Sequence, residues 1–432
     1  MLEDLTNLLT RVFAYGCLTI FVRTLLGKPL ISASIAFWFG WTFLLVGAIV
    51  AYTSDWRSFS TYSTPYLMQM FNGAFFGFLL SIIIPSPRNK SERYLRLIEN
   101  TEWVLQRFNT KVMLFLFVIG CAFLLQRVAS VGLNMDYLSE VRAVYRQRQG
   151  GALLRIGSHL SVLMTMMVIM RGLVDSYRGV DIKALGLVIL VAAPLGLANG
   201  GRTFLLSFML AYLSSLLLAR SSIVRRRRFR MPIFFFTSRE IITLGGLLAF
   251  LLLTFALMGF ARGGYGHKLD IIYTLLIWPV STLVAMDDWV FAALSSERTN
   301  GLNTFGWFVS ILSRIGLIDV TQSSEVMKGV AYYFESTYNS AIVVPRSILP
   351  DLIFDFGPSG IFVSIAIIAF TLEFITTRLP ARGYFMHVLA VQGLLASFMT
   401  IQNNIMTPGA VVTVFWGAVL ALVMRNKWGQ RR

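Results

Sequence analysis

The sequence predicts an all-α, polytopic integral membrane protein, and three observations carry that prediction. The 432 residues are 56% hydrophobic and only 14% charged, with a mean hydropathy of +0.69. A soluble domain carries about 45–50% apolar and about 25% charged residues, so a water-soluble enzyme is excluded. The apolar runs are long and continuous, unlike the short alternating segments of a transmembrane β-barrel, so the spans are helices. Finally, the loops divide into basic and non-basic sets that alternate along the chain, as the positive-inside rule requires.

Windows of roughly 20 apolar residues place eleven spans in one transmembrane domain covering 1–432. They fall near 6–26, 34–52, 65–84, 112–133, 158–175, 184–199, 203–219, 240–260, 357–377, 384–401 and 409–424. The first is the weakest, because Arg11 and Arg23 flank only eleven uncharged residues. A twelfth fits Ile271–Met286, which contains Pro279 and runs into Asp287-Asp288. The expectation is therefore 11–12 transmembrane helices. The start, Leu2-Glu3-Asp4, is acidic where a signal peptide would be basic, so the first stretch is expected to be retained. Cys17 and Cys121 both sit inside apolar runs and are expected to be small core hydrophobes.

The net charge of +17 invites a nucleic-acid reading, but its distribution argues otherwise. Segments 88–111, 171–183, 220–239, 378–382 and 425–432, with Arg23 and Lys28, hold most of the Lys and Arg and alternate correctly to share the cytoplasmic side. The run Arg225-Arg226-Arg227-Arg228 fits an anchor at anionic lipid better than a nucleic-acid site. The expected partners are the bilayer and its lipids, with no nucleic acid.

Two non-cytoplasmic regions exceed ordinary connections, which rarely pass about 12–15 residues without a function. Residues 134–157 hold Glu140, Arg142, Arg146, Arg148 and Arg155. Residues 261–356 form a long loop too aromatic to be disordered, with Tyr332, Tyr333, Phe334 and Tyr338. Arginines on the side where topology disfavours them need a compensating role, and a guanidinium fork suits phosphate. Arg202, in the hairpin Asn199-Gly200-Gly201-Arg202-Thr203, is held at the membrane edge beside backbone that glycine leaves open. Arg262, Tyr265 and His267 share the Gly-rich stretch 261–270, and His267 is the one histidine in an extended outer loop. An imidazole there suits proton transfer near neutrality. Arg346, Asp351 and Asp355 lie where Pro345, Pro350 and Pro358 forbid one continuous helix. A broken or re-entrant piece is expected, capped by Gly357, with the two carboxylates at i, i+4 spacing. For each group a plain structural role (pairing on a solvated helix, a snorkelling arginine, an incidental histidine) stands beside the chemical one. No nucleotide-binding loop and no metal-ligand spacing is present, so neither a cofactor nor a metal is expected.

With these residues together, the chain resembles the Wzy-type O-antigen polymerases, the oligosaccharide repeat-unit polymerases of bacterial envelope glycan synthesis. The resemblance lies in the many spans, an Arg-rich middle loop, the Gly-Gly-Arg hairpin and a long later loop. That loop ends in Leu349-Pro350 through Phe356-Gly357-Pro358-Ser359-Gly360. The family's Arg-x10-Gly spacing recurs as Arg146–Gly157 and Arg346–Gly357. An odd span number departs from relatives, which keep both termini in the cytoplasm.

The resemblance implies a GT-C-like architecture with two structured periplasmic loops in the bacterial inner membrane. It implies a glycosyltransferase that moves the growing glycan from undecaprenyl pyrophosphate onto a new lipid-linked repeat unit at the periplasmic face. A separate chain-length regulator is an implied partner. On this reading Arg142, Arg146, Arg202, Arg262 and Arg346 bind the pyrophosphate without a metal. Glu140, His267 or Asp351 takes the acceptor proton, and Tyr265 and Tyr338 stack on sugar. The alternatives are an O-antigen ligase-like transferase and a flippase of lipid-linked oligosaccharide.

Overall fold

The computed structural model describes residues 2–53, 62–85, 90–107, 110–131, 151–198, 202–223, 286–295, 348–399 and 417–422, with isolated positions between 237 and 253 and at 283. Every regular element among them is helical. In chain order these are α1 (Leu2–Leu25), α2 (Ala33–Thr53), α3 (Thr64–Ile83), α4 (Lys90–Arg107) and α5 (Thr110–Val131). Then follow α6 (Gly151–Arg178), α7 (Ile182–Ala198), α8 (Arg202–Ile223) and α9 (Met286–Ser295). The chain continues with α10 (Ile348–Arg378), a 3₁₀ turn (Pro380–Arg382) and α11 (Tyr384–Met399).

Among the described residues four helices are long and apolar enough to cross a membrane: α1, α2, α3 and α10. Their outward faces carry Phe13, Phe21, Leu25, Phe39, Phe43, Ile83 and Ile367, all exposed. Apolar faces of that size belong against lipid rather than water. Helices α5, α7, α8 and α11 hold shorter apolar stretches where the sequence predicts spans. The predicted spans 240–260 and 409–424 fall largely outside the described residues, as does 134–150 of the Arg-rich loop predicted at 134–157. From Gly151 onward that loop is already helix, since α6 begins there.

Two compact units make up the chain. Unit 1 gathers α1, α2, α3, α9 and nearly all of α10 around Trp41, Phe37, Phe71, Phe78, Leu352 and Phe354. Helix α1, the weakest predicted span, forms because its lone inward charge is neutralised. Arg23 is fully buried, pairs with Glu373 of α10, and donates from Nε to Pro29 O at 2.7 Å. Glu373 Oε2 also accepts Ser34 N (2.9 Å), and Thr376 Oγ1 accepts Ala33 N (3.2 Å). The first amides of a helix have no partner within it, so α10 side chains cap α2 from outside.

Helices α3 and α10 meet backbone to backbone. A Cβ added at Gly73 would collide with Phe362 O, and one at Gly77 with Ala366 O. Gly73 and Gly77 stand at i, i+4, as do Phe362 and Ala366, which is the small-residue geometry of close helix crossings in membranes.

Unit 2 packs α6 against α8, α7 against α5, and α4 across α6, α8 and the 3₁₀ turn. Helix α4 is amphipathic rather than spanning. Tyr94, Leu97, Ile98, Thr101 and Val104 are buried, while Glu92, Arg93, Arg96 and Glu99 face outward. Its apolar stripe follows the i, i+3, i+4, i+7 rule, so one face docks and the other stays wet.

Candidate functional site

The C-terminal part of the long loop predicted at 261–356 enters the described structure at Ile348. There the expected broken helix is found. Pro358 bars the α conformation from the residue before it and pushes that residue to extended ψ. Gly357 accordingly sits at φ 68°, ψ 176°, a combination open only to glycine. The chain therefore runs as a short piece, Ile348–Phe356, and then a full-length one from Pro358 to Arg378. At 1.5 Å per residue the second piece reaches about 31 Å, the thickness of a hydrocarbon core. Gly360 completes the arrangement, because a Cβ there would strike the Phe356 side chain. The Phe-Gly-Pro-Ser-Gly segment thus has a mechanical reading: one glycine for the break and one for the room beside it.

Asp351 and Asp355 lie on the short piece at the predicted i, i+4 spacing, and both are buried. So are Ile348, Leu349, Leu352, Ile353 and Phe354, so this piece is enclosed on every face within the unit 1 core. A carboxylate in such a place is costly unless it is engaged, and both make contacts with other groups. A third carboxylate belongs to the same unit. Asp287, near the start of α9, accepts the Ser63 amide at 2.7 Å just ahead of α3. Tyr62 lies edge-on to Phe291 of α9 with ring centroids 6.3 Å apart. Helix α9 is therefore bound to the head of α3 by a polar and an aromatic contact. Met286, Trp289 and Val290 share the core of the short α10 piece.

Of the residues the sequence singled out, Asp351 is placed, and Arg202 is the first residue of α8 with its side chain outside the described set. Glu140, Arg142, Arg146, Arg262, Tyr265, His267, Tyr338 and Arg346 lie outside the described residues. Sequence reasoning did not assign Asp287 a role, because adjacent carboxylates such as Asp287-Asp288 point apart and do not form a metal pair. Its signal is the position two residues into a short amphipathic helix, where an acidic side chain can reach a free amide of another segment.

Unit 2 holds a separate polar cluster that sequence reasoning did not assemble. Arg171 Nη2 lies 2.5 Å from Asp175 Oδ1 and 3.4 Å from Asp181 Oδ2. Tyr212 Oη donates to Asp175 Oδ2 at 2.8 Å. Arg220 grips Glu240 with both terminal nitrogens, at 2.6 and 3.1 Å. His387 Nε2 stands 2.8 Å from Ser215 Oγ, which also reaches Ile169 O at 2.7 Å. Tyr94 of α4 lies edge-on to the His387 ring, and burial holds its phenol above the ordinary range. The i, i+4 spacing of Arg171 and Asp175 was visible in the sequence, whereas the other partners stand ten or more residues apart.

No family model, no curated protein and no solved structure matches the chain.

Proposed function

We propose that this protein is an envelope polysaccharide polymerase of the O-antigen type. It would be a membrane-embedded glycosyltransferase working on undecaprenyl-pyrophosphate-linked oligosaccharides at the periplasmic face of the bacterial inner membrane. The observation that carries the reading is the short helical piece Ile348–Phe356, broken from the following membrane-length helix at Gly357 and carrying Asp351 and Asp355. Non-helical backbone within a membrane protein is tolerated where it is buried in protein or lines a water-filled cavity, and this piece lies in the unit 1 core. Carboxylates held out of water are the groups that can take a proton there. The loop charges of the sequence assign this end of α10 to the side away from the basic segments.

In the proposed reaction an acceptor sugar hydroxyl of the new repeat unit attacks the anomeric carbon of the growing glycan. The new carbon–oxygen bond forms as the bond to undecaprenyl pyrophosphate breaks, and the pyrophosphate leaves with the electron pair. Glu140 and His267 are the candidate groups to take the hydroxyl proton, with Asp351, which is buried in the unit 1 core, behind them. Arg142, Arg146, Arg202, Arg262 and Arg346 supply positive charge to the leaving pyrophosphate, a contribution of about 3–4 kcal/mol for one well-placed donor. Tyr265 and Tyr338 offer ring faces to the sugars. A regulator of product length would be a partner in the membrane.

The test is reconstitution of the purified full chain with a synthetic undecaprenyl-pyrophosphate repeat unit in the presence of a chelator, with products separated by length. A ladder of lengthening glycan is expected. Transfer to added lipid A core without a ladder would make the protein a ligase instead. Movement of the lipid-linked unit across liposomes without transfer would make it a flippase.

A further inference from the structure

One side chain in unit 2 reaches three pieces of backbone at once. Glu240 closes a capping box at the start of its own helical turn: Thr237 N donates to Oε2 at 3.0 Å, and Glu240 N donates back to Thr237 Oγ1 at 3.3 Å. The same carboxylate receives both terminal nitrogens of Arg220, near the end of α8. It also accepts Val180 N at 3.1 Å, in the turn between α6 and α7. That turn passes through Gly179 at φ 95°, a backbone conformation that favours glycine. Arg220 in turn reaches back to the Ser176 and Asp175 carbonyls at 3.2 and 3.4 Å.

We propose that Glu240 is a latch that docks the helical turn beginning at Thr237 onto the α6–α7 turn and α8, and that this docking opens separately from the α6–α8 pair. Two contrasts support it. Helices α6 and α8 are held by direct backbone approach, since a Cβ at Gly172 would lie 2.6 Å from Tyr212 O, and by the Asp175–Tyr212 bond. The head of the docked turn is instead held by one carboxylate, so losing it removes the Arg220, Val180 and Thr237 contacts at once, while Leu244 further along stays packed in the unit 2 core. Charged pairs taken from water are poor sources of stability but good registers, because desolvation offsets much of their attraction. A latch needs that balance, and a static core contact does not.

The amides that donate to Glu240 report on the latch directly. Hydrogen exchange of the full-length protein in detergent, followed on peptides covering Val180 and Thr237, separates its two functions. In Glu240→Ala both amides should exchange at least about tenfold faster than in the parent. In Glu240→Gln the cap survives, because glutamine serves in a capping box, while the ionic grip on Arg220 is lost. Val180 should then accelerate and Thr237 stay protected. Arg220→Ala should repeat the Glu240→Gln pattern. Peptides spanning Gly172 and Tyr212 should keep the parent's protection in all three variants. Unchanged exchange at Val180 in Glu240→Gln and Arg220→Ala would overturn the latch and leave only a cap. Loss of protection across α6 and α8 together would equally overturn it, because the contact would then belong to the common fold.

Discussion

Asp351 and Gly357 are six residues apart and depend on each other in the proposed chemistry. The glycine makes the break that turns Ile348–Phe356 into a piece of its own, and the aspartate is carried on that piece. Gly357→Ala forces a side chain into a conformation only glycine adopts, at a cost of about 1–3 kcal/mol. We expect a lower thermal midpoint and a loss of polymer greater than that destabilisation alone produces, measured on the purified variant. Asp351→Asn preserves shape and removes that candidate proton acceptor. If Asp351 is the base, glycan elongation should fall by about 10²–10⁴ while folding and lipid-donor binding remain. Elongation at the parent's rate would leave the role to Glu140 or His267.

Between elements, the decisive contact is α3 on α10. Gly73 and Gly77 let α3 lie against the Phe362 and Ala366 backbone, and this fixes the long half of the broken helix within unit 1. Gly77→Leu has no room, so folded protein recovered from membranes should drop sharply. Gly186 of α7 offers the contrast, as nothing lies within 4 Å of a Cβ placed there. Gly186→Ala should be neutral or stabilising by about 0.5–1 kcal/mol, since alanine loses less entropy in a helix. A similar yield from both variants would mean that the α3–α10 contact does not set the fold. The Arg23–Glu373 pair belongs to this scale too. It explains how a helix with an inward arginine can stand among the spans.

For the whole molecule, the charge pattern assigns sides and the proposed reaction needs them. Cysteine placed at Asn300 or Asn426, in a chain whose Cys17 and Cys121 are serine, tests the assignment. A membrane-impermeant maleimide applied to spheroplasts should label position 300 directly and position 426 only after permeabilisation. The reverse pattern would put the long loop in the cytoplasm and end the proposal of a periplasmic transferase.

The helical, membrane-embedded character of the chain was legible in the sequence because hydropathy is additive along a run and needs no partner to be read. The break at Gly357 and the i, i+4 carboxylates were legible for the same reason, since Pro358 restricts its own neighbour and helical spacing is local. What only the tertiary structure decided are the relations between distant segments. Glu373 caps α2 and neutralises Arg23 across some 350 residues, Asp287 takes the Ser63 amide, and Glu240 gathers Arg220 and Val180. Each of those carboxylates looks like an ordinary charge in the sequence. Its partner is chosen by which helices pack together, and packing is governed by small residues such as Gly73, Gly77 and Gly172, whose effect is felt only when a second backbone arrives.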